Sequence, residues 1–81
     1  MRTKGKGEGM EYVIVTYPTN RFVYIDGEKG GITNDVLRVS EGTHEFDLGN
    51  LENYLPESQE IEVQGTTVLK PLKIEFTRKD A

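Results

Sequence analysis

The side chains able to do chemistry are one histidine, His44, and fourteen carboxylates, with no cysteine among 81 residues. A lone histidine excludes a multi-histidine metal site, and no Ser-His pairing is supported by spacing. His44 follows Gly42 by two positions and shares parity with Phe46 and Leu48, so it reads as a structural histidine at the rim of a core. Asp26, Glu28 and Asp35 bracket a glycine-bearing loop and offer oxygen atoms suited to calcium. Lys29 interrupts them, however, and a turn-forming Asp26-Gly27 pair explains Asp26 without a metal. Gly27, Gly30 and Gly31 suggest a phosphate loop only superficially, because no helix follows to supply its N-terminal dipole. Glu52, Glu57, Glu60 and Glu62 invite comparison with the paired carboxylates of glycoside hydrolysis. Glu60 and Glu62 lie on the solvent face of their strand, where no apolar pocket raises a carboxyl pKa. The expectation is no catalytic residue, no metal ligand and no cofactor.

Composition narrows the class further. The chain has room for one domain. Ten basic residues against fourteen acidic ones give a net charge of −4, which argues against a nucleic-acid partner. No window is apolar enough to cross a bilayer, so no membrane insertion is expected. The basic start is not followed by the apolar run of a secretory signal.

Period-two alternation places these residues on strands. Glu11–Tyr17 is a run apolar on both faces, ended by Pro18. Arg21–Ile25 alternates and closes at Asp26-Gly27. Glu28–Gly31 reads as a connection, leading to strands at Val36–Val39 and Thr43–Leu48 joined by Glu41-Gly42. Gly49–Glu57 is loop, in which Tyr54 and Leu55 plug one end of the core. Gln59–Gln64 is amphipathic, with Ile61 and Val63 inward. Val68, Leu72, Ile74 and Phe76 share a parity in the last strand, with Pro71 marking an edge or bulge. No segment carries helical periodicity with caps. These signals predict an all-β fold with essentially no helix: a small two-layer antiparallel β-sandwich of six or seven short strands. Residues 1–9, including Arg2, Lys4 and Lys6, read as an unstructured lead-in, residues 10–77 as the domain and 78–81 as a polar tail.

If Tyr12, Ile14, Val23 and Ile25 face inward, then Val13, Val15, Tyr17, Phe22 and Tyr24 face outward on adjacent strands, joined at Pro18–Asn20. Such an aromatic patch suits a neighbouring domain, a protein partner or a sugar ring. An exposed first or last strand is a further place for edge addition, partly guarded by Pro71.

The strand-Pro18 start, Val23-Tyr24-Ile25-Asp26-Gly27, the loop with Gly31 and Thr33, and Leu37-x-Val39-x-x-Gly42-x-His44-x-Phe46-x-Leu48 resemble the PEGA domain. The likeness continues through Tyr54, Ile61-x-Val63 and Gly65. The family's name-giving turn stands here as Pro18-Thr19-Asn20-Arg21, and its later Thr-Pro as Thr33-Asn34, marking a divergent member. Asn20 is a residue type able to adopt the left-handed conformation that glycine would supply. The resemblance implies a transthyretin-like or carboxypeptidase-regulatory-like sandwich, a repeatable module of larger bacterial or archaeal proteins, many at the cell surface or envelope, with no catalytic residues to carry over. The function expected is a non-catalytic structural or protein-interaction module of a larger protein, with a carbohydrate or cell-wall binding module as the alternative.

Overall fold

The computed structural model describes residues 9–51 and 53–79. The expected lead-in apart from Gly9, the site candidate Glu52 and the end of the tail lie outside the described residues. Nine strands and no helix occur among those described. They are β1 (Met10–Thr16), β2 (Phe22–Ile25), β3 (Glu28–Ile32), β4 (Val36–Ser40) and β5 (Gly42–Asp47), then β6 (Tyr54–Leu55), β7 (Gln59–Val63), β8 (Leu72–Glu75) and β9 (Thr77–Arg78). A three-stranded sheet has the order β4-β1-β8, a four-stranded sheet the order β3-β2-β5-β7, and β6 pairs with β9. The fold is all-β, as the alternation predicts. Pairing is antiparallel throughout except between β1 and β8, which run parallel.

One core joins the layers. Val13, Val15, Leu37, Val39 and Ile74 enter it from the three-stranded sheet, and Val23, Phe46 and Val63 from the four-stranded one. Tyr17, Leu48, Tyr54 and Phe76 complete it. Burying a side chain of this size contributes about 1.5–3 kcal/mol, so these twelve residues dominate stability.

The strand count exceeds expectation because Glu28–Ile32 pairs as β3. Glu-Lys-Gly-Gly-Ile carries no alternation, so its pattern is silent. The turn decides instead: Asp26 and Gly27 both have positive φ, 54° and 85°. Two successive left-handed residues match the twist of a hairpin and align Ile25 with Glu28. Gly30 is the extra residue where the register shifts opposite Val23 and Tyr24.

The chain departs from the expected β1 and β2 in two ways. They belong to different sheets, so Pro18–Asn20 is a crossover and not a hairpin. The parity of β1 is also reversed: Val13, Val15 and Tyr17 are buried, while Tyr12 and Ile14 are only partly covered. Both faces of β1 are apolar, so alternation alone cannot choose between them. The compact valines fill the space between layers, and the larger outward side chains lie beside Arg38 and Lys73. Because β1 is central, the first strand offers no free edge, whereas β8, which Pro71 precedes, does.

Other corrections are local. Leu55 is exposed, and only Tyr54 plugs the core end. Val68 lies outside the last strand and is exposed, because Thr67 and Lys70 close a turn around Val68-Leu69. Arg78 pairs opposite Tyr54, and the Lys79 amide donates to the Asn53 carbonyl, so the supposed tail begins inside the fold. Thr66 ties the long β7–β8 connection to β1: its Oγ1 accepts the Tyr12 amide at 2.7 Å and donates to Glu11 at 2.6 Å.

Candidate contact face and its polar neighbours

The corner from Pro18 to Arg21 is held by the β3–β4 connection. Thr33 is buried, its Oγ1 accepting the Arg21 amide and donating to the Thr19 carbonyl, both at 2.9 Å. Asn34 adopts φ 70° and clasps Tyr17 twice, its Oδ1 accepting the Tyr17 amide and its Nδ2 donating to the Tyr17 carbonyl. The left-handed residue here is therefore Asn34, and Asn20 is not among the positive-φ residues. Asn20 instead accepts from Asn34 Nδ2 at 3.1 Å.

Arg21 extends from this corner over the β5–β6 loop. Its Nη1 donates to Asn53 Oδ1 at 2.6 Å, and its Nη2 to the carbonyls of Leu48 and Leu51 at 3.0 and 2.8 Å. The guanidinium lies 5.4 Å from the Tyr17 ring centroid and 4.9 Å from that of Tyr54. A planar donor fork that also stacks on rings serves as a loop clamp, which explains a long cation at a corner where alanine would leave the loop unheld.

Of the five residues expected to form the outward patch, Phe22 and Tyr24 remain on the surface of β2 and the other three are in the core. Phe22 is 49% exposed, stands opposite the exposed Ile32 of β3, and has Lys29 Nζ 3.9 Å above its ring. A shallow hollow of about 150 Å³ is bounded by Asn20, Arg21, Phe22 and Ile32. Tyr24 stands opposite Asp47 of β5 and forms one wall of a cleft of about 430 Å³, shared with Asp47, Asn50, Tyr54, Glu57 and Ser58. Gly49, at φ 90°, floors this cleft because a Cβ there would sit 2.8 Å from Tyr24 Cε1. Its carbonyl accepts the Tyr54 hydroxyl and its amide donates to Asp47 Oδ1, each at 2.9 Å. Further along the same face, β5 presents Glu45 opposite Glu60 of β7, and Thr43 opposite Glu62.

The structure also assembles a Ser-His-Asp group that spacing did not reveal. His44 Nδ1 lies 2.6 Å from Asp26 Oδ2, and its Nε2 lies 2.7 Å from the Ser40 carbonyl and 3.3 Å from Ser40 Oγ. Asp26 Oδ1 accepts the Glu45 amide at 2.9 Å. Two strong acceptors, a carboxylate and a carbonyl, claim both ring nitrogens as donors. With Nε2–H directed at the Ser40 carbonyl, that nitrogen has no lone pair to activate the serine hydroxyl. Burial draws the His44 pKa down, but the hydrogen bonds to Asp26 and Ser40 and the Asp26 charge outweigh it, leaving a raised value. The same pair holds Asp26 below the usual carboxylate range, through the His44 bond first and the Glu45 amide second. The group is a clasp between the β2–β3 turn and the β4–β5 hairpin. Asp26 is thereby committed to His44, and no group of three or more metal-ligating side chains occurs among the described residues. Glu60 and Glu62 are exposed on β7, while Glu57 borders the cleft.

Two packed β layers, a clamped loop end and the outward Phe22 and Tyr24 rings define a small β-sandwich. The chain belongs to the PEGA domain family, whose pattern it matches over residues 10–79. That family is one of non-enzymatic domains, found as modules of larger proteins. No curated protein and no solved structure matches the chain.

Proposed function

We propose that this chain is a non-catalytic contact module that offers the β2–β3 side of its four-stranded sheet, centred on Phe22 and Tyr24, to a neighbouring domain or protein partner. The observation that carries the reading is the half-exposed Phe22 ring, flanked by Ile32, topped by Lys29 and bordered by a shallow apolar hollow. Aromatic side chains beside a cation and a hollow are the anchors that protein contacts favour. The clasp geometry at His44 supports the non-catalytic part, since Nε2 is occupied by a backbone carbonyl. A photoreactive side chain placed at position 22, in cells making the protein, is expected to yield adducts to protein. A Phe22→Ala/Tyr24→Ala chain that keeps every partner contact of the native protein would overturn the proposal.

A carbohydrate reading is favoured by one separate observation: the Tyr24 ring walls a cleft that also holds Asp47, Asn50, Glu57 and Ser58. An aromatic ring beside carboxylate, amide and hydroxyl groups can stack on a sugar and bond its hydroxyls. Amide NMR titration with peptidoglycan and other glycan fragments tests it, with shifts at Tyr24, Gly49 and Asn50 as the expected sign.

A further inference from the structure

Asp26-Gly27 is the one Asp-Gly or Asn-Gly pair in the chain, and such a pair carries a chemical hazard. The main-chain nitrogen that follows an aspartate can attack the side-chain carboxyl carbon. A C–N bond forms, the amide proton and the carboxyl hydroxyl leave as water, and a five-membered succinimide results. Water then opens the ring at either carbonyl. One opening restores aspartate, and the other leaves isoaspartate, whose main chain runs through Cγ and is one methylene longer. One water leaves and one returns, with no change of mass or oxidation state. Glycine favours the attack because it has no side chain to obstruct it. Gly27 is open in this sense, since a Cβ built there would meet nothing within 4 Å. The turn nevertheless needs residues of this kind, with φ at 54° and 85° in succession.

Asp26 does not lie free in its turn. Its Oδ2 is 2.6 Å from His44 Nδ1, and its Oδ1 accepts the Glu45 amide at 2.9 Å, both partners on β5. Its own amide donates to the Glu45 carbonyl at 2.7 Å. Both carboxyl oxygens are thus tethered to the neighbouring strand, and the carbon between them cannot swing onto the Gly27 nitrogen without breaking two hydrogen bonds. The species that sheds water is the neutral acid, whereas the His44 bond first and the Glu45 amide second hold Asp26 in its charged form. We infer that the His44–Asp26 clasp is a lock against isomerisation, and that Asp26 is the site of isoaspartate formation in this chain once the lock is removed. The damage would fall on β3. An added methylene in a two-residue turn displaces Glu28 from Ile25, and β3 has no alternating side chains to restore the pairing. Lys29 would lose its place above Phe22 with it.

Prolonged incubation of the whole chain at neutral pH and physiological temperature tests it. Isoaspartate is read by enzymatic methyl transfer to its free α-carboxyl group, and is placed by electron-transfer fragmentation of the tryptic peptide 22–29. The native chain is expected to isomerise at least about tenfold more slowly than the same chain unfolded in guanidinium chloride, because two hydrogen bonds to a charged group must first be broken. His44→Leu is expected to speed the reaction in the folded chain by about tenfold. His44→Gln serves in its place should the leucine variant fail to give a folded spectrum, since a neutral amide brings no charge to the carboxylate. Thr33→Val, which loosens the opposite end of the β2–β3 hairpin, is expected to keep the native rate. A native chain that isomerises as fast as the unfolded one overturns the inference. So does a folded His44 variant as slow as the native chain. Thr33→Val matching the His44 variant overturns it equally, because loss of stability alone would then account for the rate.

Discussion

The guanidinium of Arg21 lies 4.9 Å from the ring centroid of Tyr54, thirty-three positions along the chain, and ties the start of β2 to β6. The same group bonds Asn53 and the carbonyls of Leu48 and Leu51, so one side chain organises the loop between β5 and β6. Arg21→Ala is expected to destabilise the domain by about 1–3 kcal/mol, because carbonyls satisfied by a charged donor lose it. Arg21→Lys is expected to recover little, since a point cation cannot reproduce the fork. Urea unfolding of the variants measures both.

The reversed parity of β1 makes a sharp contrast of faces. Val13→Asp places a charge in a fully buried position and is expected to abolish folding, as an unpaired buried charge costs several kcal/mol. Phe22→Asp, on the surface of β2, is expected to leave the fold intact and change Tm little. Circular dichroism melts of the two variants decide which face of each strand is the inner one.

Thr33 combines near-complete burial with two hydrogen bonds to the Pro18–Arg21 corner. Thr33→Val keeps the volume but removes both bonds, leaving the Arg21 amide without its acceptor. A loss of about 1–3 kcal/mol is expected. Thr33→Ser, which keeps the hydroxyl, is expected to lose less. Chemical denaturation resolves the difference.

The His44–Asp26 clasp gives stability a pH dependence from both partners. The folded pKa of His44 is raised, so its contribution is full below the ordinary histidine value of about 6.5 and is lost as pH rises through the folded value. The folded pKa of Asp26 is lowered, so its contribution is present above the ordinary aspartate value of about 3.9 and is lost as pH falls through the folded value. The clasp is therefore fullest between about pH 4 and 6.5. Tm measured across this range is expected to decline on both sides, and His44→Gln is expected to remove the decline on the alkaline side. The effect is small because Asp26 is half exposed to solvent.

Gly49→Ala is expected to disturb the cleft more than the core. Alanine at φ 90° is strained, and its Cβ would press on Tyr24. Displacement of the Tyr24 ring is expected as shifted aromatic proton resonances, with a loss of stability of about 1–3 kcal/mol.

Much of this fold is legible in the amino-acid sequence. Val23, Leu37, Val39, Phe46 and Val63 alternate cleanly, and their parity correctly marks the core. Asp26-Gly27 announces the tight turn that it makes, though not the strand that follows it. Alternation fails where its physical basis is missing. On β1 both faces are apolar, and the choice belongs to the packing between sheets. Along β3 nothing alternates, and the strand exists because a twisted turn delivers it to β2. The Arg21 clamp and the His44–Asp26 clasp join residues from separate strands and loops, a proximity that spacing along a chain does not encode. In the sequence, Asp26 reads as a turn residue and His44 as a rim residue. Their meeting required the register of β2 against β5.

The parallel pairing of β1 with β8 has a mechanical consequence. Val13 stands beside Leu72 and Thr16 beside Glu75, so the start of the first strand and the finish of the eighth lie toward opposite poles of the sheet. Tension drawn through those two points pulls the strands past each other along their length. Every rung of that ladder is then strained together, in shear, instead of opening one after another like a zip. A pull between those two ends is expected to meet one large barrier, read as a single force peak in single-molecule stretching.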